Sequence, residues 1–187
     1  MILLALGSNL GDREANLAAA RGALVGYDIH ITAVSGIYET PALMPENAPA
    51  DWDIPYLNQV IAVDTHHGPE TILVCVKHIE QELGRMPAGR WAPRELDIDI
   101  LAVNDWVMVT DYLTLPHPAM DTRRFVLEPL AEIAPEWLHP VLKKTAREMM
   151  NGCSRVATTG MSALAVAQTV ARATGNQIQV MEMLTGV

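Results

Sequence analysis

Hydrophobic residues in this chain recur with two periods, one suited to strands and one to helices, and the order in which the periods change outlines a fold. An apolar run at 2–6 reads as a buried strand that ends in a turn at Gly7-Ser8-Asn9. Leu17, Ala20 and Leu24 then recur at helical spacing, with Asp12 placed to cap the helix and Gly26 to close it. A strand is expected over 29–38, a proline-rich passage over 39–55 and another strand over 57–64. Pro69 opens a second helix in which Ile72, Leu73, Val76, Ile79 and Leu83 form one apolar stripe, with a stop at Gly84. A strand at 96–103 completes the order β-α-β-β-α-β. That order predicts an α+β fold of ferredoxin-like plan, an antiparallel sheet with two helices on one face. Residues 121–134 and 142–150 read as additional C-terminal helices outside this unit, the first capped by Asp121.

The last strand changes the picture from architecture to chemistry. Side chains alternate between the faces of a strand, so Asp97 and Asp99 share one face with Cα atoms roughly 6.6 Å apart, while Leu96, Ile98 and Ile100 point into a core. Two hard oxygen ligands on a rigid strand suit Mg²⁺, which completes its shell with phosphate and water. An Asp-X-Asp pair can equally be the polar face of an edge strand. Arg90 and Arg94, just ahead of it, favour phosphoryl chemistry over a bland surface. The passages 39–55 and 85–95 are long for a compact domain and read as lids. Thr40, Pro41 and Leu43 stand on one, and Arg85, Arg90 and Trp91 on the other.

Composition sets the limits. The chain has 187 residues, half of them hydrophobic, enough for one core without disulfides or structural metal; residues 1–150 are read as one domain and 151–187 as an extension of unassigned role. A net charge of −9, from 13 Lys and Arg against 22 Asp and Glu, argues against nucleic acid or an anionic membrane as partner. Any polyanion must meet a local basic pocket, for which Arg85, Arg90, Arg94, Arg123 and Arg124 are candidates. Cys75 falls on a buried helical face and Cys153 stands alone, which suits a reducing compartment. The apolar N-terminus is too short for a signal peptide and lacks a basic flank, and no run reaches spanning length, so the expectation is a cytoplasmic protein.

Arg90-Trp91-Ala92-Pro93-Arg94-Glu95-Leu96-Asp97-Ile98-Asp99-Ile100-Leu101 closely resembles the hallmark segment of the 6-hydroxymethyl-7,8-dihydropterin pyrophosphokinase family. Gly7-Ser8-Asn9-Leu10-Gly11, Tyr38-Glu39-Thr40-Pro41, Tyr56-Leu57-Asn58, the stretch from Glu80 to Gly84-Arg85, Leu115-Pro116-His117 and Arg123-Arg124-Phe125 resemble further blocks of that family, in its order and roughly its spacing, over about residues 1–140. The resemblance implies a ferredoxin-like fold and transfer of pyrophosphate from ATP to the pterin's hydroxymethyl group in folate biosynthesis. It implies that Asp97 and Asp99 hold two Mg²⁺ ions and that Arg85 and Arg94 act on the transferring group. It further implies that Trp91, Ile100, Thr114, His117 and Arg123 bind the nucleotide, and that Thr40, Pro41, Leu43, Tyr56, Asn58 and Phe125 bind the pterin.

The chain departs from the family's pattern in places. Met86-Pro87-Ala88-Gly89 offers no basic residue where relatives commonly have one, and the loop is one residue short. Tyr112 and Pro118 stand where some relatives carry an arginine and a tyrosine, and the 39–55 passage has its own insertion with Trp52 as a flap residue. These departures keep a catalytically silent nucleotide or pterin binder as the alternative. A two-metal phosphatase with Asp97 as nucleophile fits less well, because the pair lies late in the domain. In the tail, a helix capped by Ser162 and a strand at Ile178-Gln179-Val180 are expected, as a packed tail, a subunit contact or a linker to a fused enzyme. The expected state is a monomer, with the extension as the surface for any homodimer.

Overall fold

The computed structural model describes residues 1–86, 89 and 91–153. Arg90, and the helix and strand expected in the tail, lie outside the described residues.

The chain runs β1 (Ile2–Ser8), α1 (Arg13–Gly26), β2 (His30–Val34), β3 (Tyr38–Thr40), β4 (Tyr56–Asp64), α2 (Pro69–Glu82), β5 (Asp97–Val103), β6 (Met108–Val109), β7 (Thr114–Leu115), α3 (Arg124–Ile133) and α4 (Ala146–Gly152). The main sheet is antiparallel in order β2-β4-β1-β5, with β3 also on β4. β6 and β7 form a separate two-stranded ribbon. Alternation sorts the sheet's side chains between two cores. Leu4, Leu6, Ile61 and Ile98 pack with Leu17 and Leu24 of α1 and Ile72 and Ile79 of α2. Leu3, Val60, Ala62 and Leu101 pack on the other face with Val126 and Leu130 of α3. The helices predicted to lie outside the unit therefore include one that covers the second face of the sheet.

The predicted strand at 29–38 is two strands along one edge of β4, separated at Ser35-Gly36-Ile37. Ser35 keeps the edge paired across the break: its N–H donates to the Val60 carbonyl at 3.0 Å and its Oγ accepts the Val60 N–H at 3.0 Å. The register shift between Ile31 and Ala33 shows where the strand bends. The expected cap at Asp121 is corrected: α3 starts at Arg124, with Arg123 at its N-cap and no side chain capping it. Asp12 does cap α1, accepting the Ala15 N–H at 3.1 Å. Gly84 follows α2 at φ +98°, a backbone angle that favours glycine, and ends the helix as expected. α4 starts later than predicted, at a capping box of Thr145 and Glu148. Among the described residues, no helix is long and apolar enough to cross a membrane.

Candidate functional site

Register builds the site's floor. Gly7 at the end of β1 lies opposite Asn58 on one side and Asp97 on the other, and Ala5 lies between Val60 and Asp99. The two small residues of the central strand leave a trough between a polar amide on β4 and two carboxylates on β5, roughly 10 Å apart across two strand spacings. The trough opens into a cleft of about 320 Å³ on the face that α3 covers further along.

One end of the cleft is mostly neutral. Tyr56, Asn58, Pro41, Leu43 and Phe125 line it. Asn58 is buried, and its Nδ2 donates to Thr40 Oγ1 at 2.9 Å and towards the Tyr38 carbonyl at 3.3 Å. The protein thus satisfies the amide's donors, and Oδ1 is the atom left to meet a ligand. Thr40 does not line the cleft; its hydroxyl orients Asn58. Burial pushes the Tyr56 phenol above its ordinary pKa, so the ring stays neutral, with Arg94 among its hydrogen-bonding neighbours. The Arg123 guanidinium lies 5.8 Å from the centre of the Phe125 ring, within reach of a cation–π contact.

The other end is charged. Asp97 Oδ1 accepts from Arg85 Nη1 at 2.7 Å and from Arg94 Nη1 at 3.3 Å. Arg85 Nη1 also donates to Oε2 of Glu80, a carboxylate sunk in the last turn of α2. Oε1 of Glu80 accepts from Lys77 Nζ at 2.7 Å and from the Ile98 N–H at 2.7 Å. Burial opposes charge on Arg85, but Asp97 and Glu80 outweigh it and hold its pKa above the ordinary value. Trp91 and His117 complete this wall. His117 Nδ1 accepts the Ala119 N–H at 3.3 Å, so the neutral ring carries its proton on Nε2; burial lowers its pKa, against the pull of Asp99, and favours this neutral form.

Of the residues singled out from sequence, the cleft gathers Pro41, Leu43, Tyr56, Asn58, Arg85, Trp91, Arg94, Asp97, Asp99, His117, Arg123 and Phe125. Ile100 is corrected: strand parity turns it to the opposite face, where it is 4% exposed in the core beneath α1 and α2. Thr114 on β7 does not line the cleft either; its Oγ1 is buried and has no hydrogen-bond partner among the described residues. Sequence reasoning missed Lys77, which lines the cleft and donates to Glu80 and, at 3.2 Å, to the Ile98 carbonyl. Its spacing of three from Glu80 on one helix was the available signal. Ala5 and Gly7 were missed as floor, since only the register reveals that role.

Three ties hold the loops over the cleft. Arg13 Nη1 donates both to Glu39 Oε1 at 2.8 Å and to the Pro55 carbonyl at 2.9 Å, closing the base of the 39–55 loop. Asn9 bridges that loop to the arginine-bearing one: Nδ2 donates to the Ile54 carbonyl at 3.1 Å and Oδ1 accepts the Arg94 N–H at 2.7 Å. The two loops also meet directly, for a Cβ on Gly89 would stand 3.3 Å from Trp52 Cη2.

Asp97 and Asp99 are hard oxygen donors facing a cleft, which fits a cation of the magnesium type. Among the described residues no third His, Cys, Asp or Glu joins them in a metal-holding group, so further ligands would be phosphate and water.

Residues 3–135 match the family model described as 7,8-dihydro-6-hydroxymethylpterin-pyrophosphokinase. The 2-amino-4-hydroxy-6-hydroxymethyldihydropteridine pyrophosphokinase of Aquifex aeolicus is 37% identical over 147 residues, covering 79% of this chain and 88% of that protein. The Bacillus subtilis protein of the same name is 42% identical over 131 residues, covering 70% of this chain and 75% of the relative. Among solved structures, wild-type Plasmodium falciparum HPPK-DHPS superposes with a TM-score of 0.63 at 18% identity, a likeness of fold that covers 81% of this chain and 44% of the longer one.

Proposed function

The chain belongs to the 7,8-dihydro-6-hydroxymethylpterin-pyrophosphokinase family, and we propose that the residues gathered in its cleft carry out that family's reaction. It is an ATP-dependent diphosphotransferase of folate biosynthesis that converts 6-hydroxymethyl-7,8-dihydropterin to its diphosphate and releases AMP. The observation that supports the site assignment is the row Asn58–Gly7–Asp97, which puts a neutral amide and a carboxylate on one floor. We read the sheet order, with α1 and α2 on one face, as the ferredoxin-like plan.

In this reading the pterin lies between Tyr56 and Phe125, with Pro41 and Leu43 above it and Asn58 Oδ1 accepting from its edge. Thr40 acts through Asn58. Trp91, His117 and Arg123 line the nucleotide's end, where the Nε2 proton of a neutral His117 is a hydrogen-bond donor to phosphate oxygen. The acceptor's hydroxymethyl oxygen bonds to the β-phosphorus of ATP as the bond from that phosphorus to the α-phosphate bridging oxygen breaks. AMP leaves with that oxygen, and the hydroxyl proton passes to solvent. Arg85 stays charged beside the transferring group, and Arg85 and Arg94 can follow its oxygens with paired hydrogen bonds as charge shifts toward the leaving group. Asp97 and Asp99 are the residues that would hold two Mg²⁺ ions, which when bound supply Lewis-acid neutralisation of the triphosphate. The loops at 39–55 and 85–95 exclude water from the exchange. We further read the chain as a cytosolic monomer, in keeping with Cys75 and Cys153 forming no disulfide.

The test is formation of AMP and pterin diphosphate from ATP and 6-hydroxymethyl-7,8-dihydropterin with Mg²⁺, followed by chromatography. Stoichiometric AMP supports the reading. Tight binding of both ligands without AMP would make the chain a silent binder, and phosphate release without pterin would point to a hydrolase.

A further inference from the structure

We propose that Asn9 is a positioning residue that couples the acceptor-side loop to Arg94. The inference rests on the reading of Arg94 given above and adds a residue that does not itself line the cleft. Asn9 is 2% exposed. Its N–H donates to the Arg94 carbonyl at 3.1 Å and its Oδ1 accepts the Arg94 N–H at 2.7 Å, so the main chain of Arg94 is held from both sides. The Leu10 N–H adds a second bond to the same carbonyl, at 3.2 Å. What remains of the Asn9 amide, Nδ2, reaches across to the Ile54 carbonyl at 3.1 Å.

Ile54 sits two residues before Tyr56, whose ring walls the acceptor's end, while the Arg94 guanidinium reaches Asp97 at the phosphate end. One buried side chain thus joins a loop that would shape itself to the acceptor with an arginine that serves the transferring group. Only a short amide fits the position, because it must give one hydrogen bond and take another in a site where an unmade bond is costly. Aspartate keeps the acceptor for Arg94 but sets an oxygen against the Ile54 carbonyl. Alanine removes both links. Any shift of the 54–56 segment on acceptor binding is felt at Arg94 through this amide. By linkage, nucleotide drawing on Arg94 changes acceptor affinity by the same factor.

The experiment compares wild type, Asn9→Asp, Asn9→Ala, Arg94→Ala and the Asn9→Ala/Arg94→Ala double variant. Acceptor dissociation constants are measured with and without a non-hydrolysable ATP analogue and Mg²⁺, and kcat is measured from AMP. Asn9→Ala is expected to lower kcat on the order of 100-fold in wild type. In the Arg94→Ala background the same change should cost under about twofold. Asn9→Asp should abolish the nucleotide-dependent gain in acceptor affinity that wild type shows. A merely structural role would instead lower the melting temperature in every background and give kcat losses that multiply. Multiplying losses, a coupling retained in Asn9→Asp, or a wild type whose acceptor affinity ignores nucleotide would each overturn the proposal. Should Asn9→Ala not fold, by circular dichroism, the coupling measured on Asn9→Asp decides. Absence of AMP from wild type would overturn the functional reading and this inference with it; once AMP forms, the outcomes bear on Asn9 alone.

Discussion

Arg85 and Asp97 stand 2.7 Å apart, and the guanidinium nitrogen that meets Asp97 is the one that also meets Glu80. The two carboxylates differ in setting: the Glu80 side chain is 2% exposed and that of Asp97 is 28% exposed. Glu80 is therefore the fixed anchor and Asp97 the partner that can be exchanged for a cation or a phosphate network. Removing the anchor leaves Lys77, Arg85 and the Ile98 N–H short of an acceptor. Glu80→Ala should cost about 3 kcal/mol of stability, and Glu80→Gln roughly half of that. Urea unfolding at neutral pH checks both; a loss under about 1 kcal/mol for Glu80→Ala would mean that the cations simply rehydrate.

Asp97→Ala and Asp99→Ala should each lower turnover by about 1,000-fold or more while far-ultraviolet circular dichroism stays unchanged, because both side chains face the cleft and not a core. Chelation of Mg²⁺ should abolish AMP formation and its return restore it. Near-normal turnover in either variant at limiting metal would remove that carboxylate from the site.

Gly7→Ala tests the floor. A methyl there would lie 3.5 Å from Tyr56 Cδ1 and 3.9 Å from Asn58 Oδ1, ordinary contact that costs the fold little. It would nonetheless occupy the trough. Acceptor affinity should fall about tenfold or more, with the melting temperature nearly unchanged. Calorimetric titration and a thermal melt separate the two effects, and unaltered acceptor binding would place the pterin elsewhere.

His139 should set an acid limit on stability. It is fully buried, its Nδ1 accepts the N–H groups of Val141 and Leu142, and its ring meets Trp137 edge-on at 5.7 Å. Burial pushes its pKa from 6.5 down to about 4. Between those values the unfolded chain binds the proton more readily, so the stabilisation is fully present above about pH 6.5 and is lost as pH falls toward 4. The loss approaches about 3 kcal/mol. His139→Gln cannot take that charge and should flatten the slope, measured as urea midpoints from pH 7.5 to 4.5. Parallel slopes would rule His139 out as the source.

Much of this was legible in periodicity. The apolar stripes of α1 and α2 and the alternation in β5 mark their buried faces directly, and the shared face of Asp97 and Asp99 follows from parity alone. The misreadings have non-local causes. The break after β2 is stabilised by Glu132 of α3, whose carboxylate accepts the Gly36 N–H at 3.0 Å from 96 residues away. The Thr145–Glu148 box, in contrast, was a local signal for the start of α4. Ile100 as a nucleotide contact came from resemblance and conflicted with its own strand's alternation, and the alternation prevailed. Lys77 was passed over and Glu80 carried no role beyond its family block, because only the fold brings the Ile98 N–H and Arg85 to the carboxylate that Lys77 also meets.

The Arg13 clasp has an evolutionary and practical side. With Glu39 and Pro55 pinned to one nitrogen and Thr40 paired to Tyr56, the ends of the intervening segment stay fixed whatever its tip contains. Lengthening such a closed segment is cheap, about 0.6 kcal/mol for each doubling. The exposed tip at Pro45, Glu46 and Asn47 is therefore where lineages can diverge in length, and where a reporter peptide can be grafted, without disturbing the chemistry below.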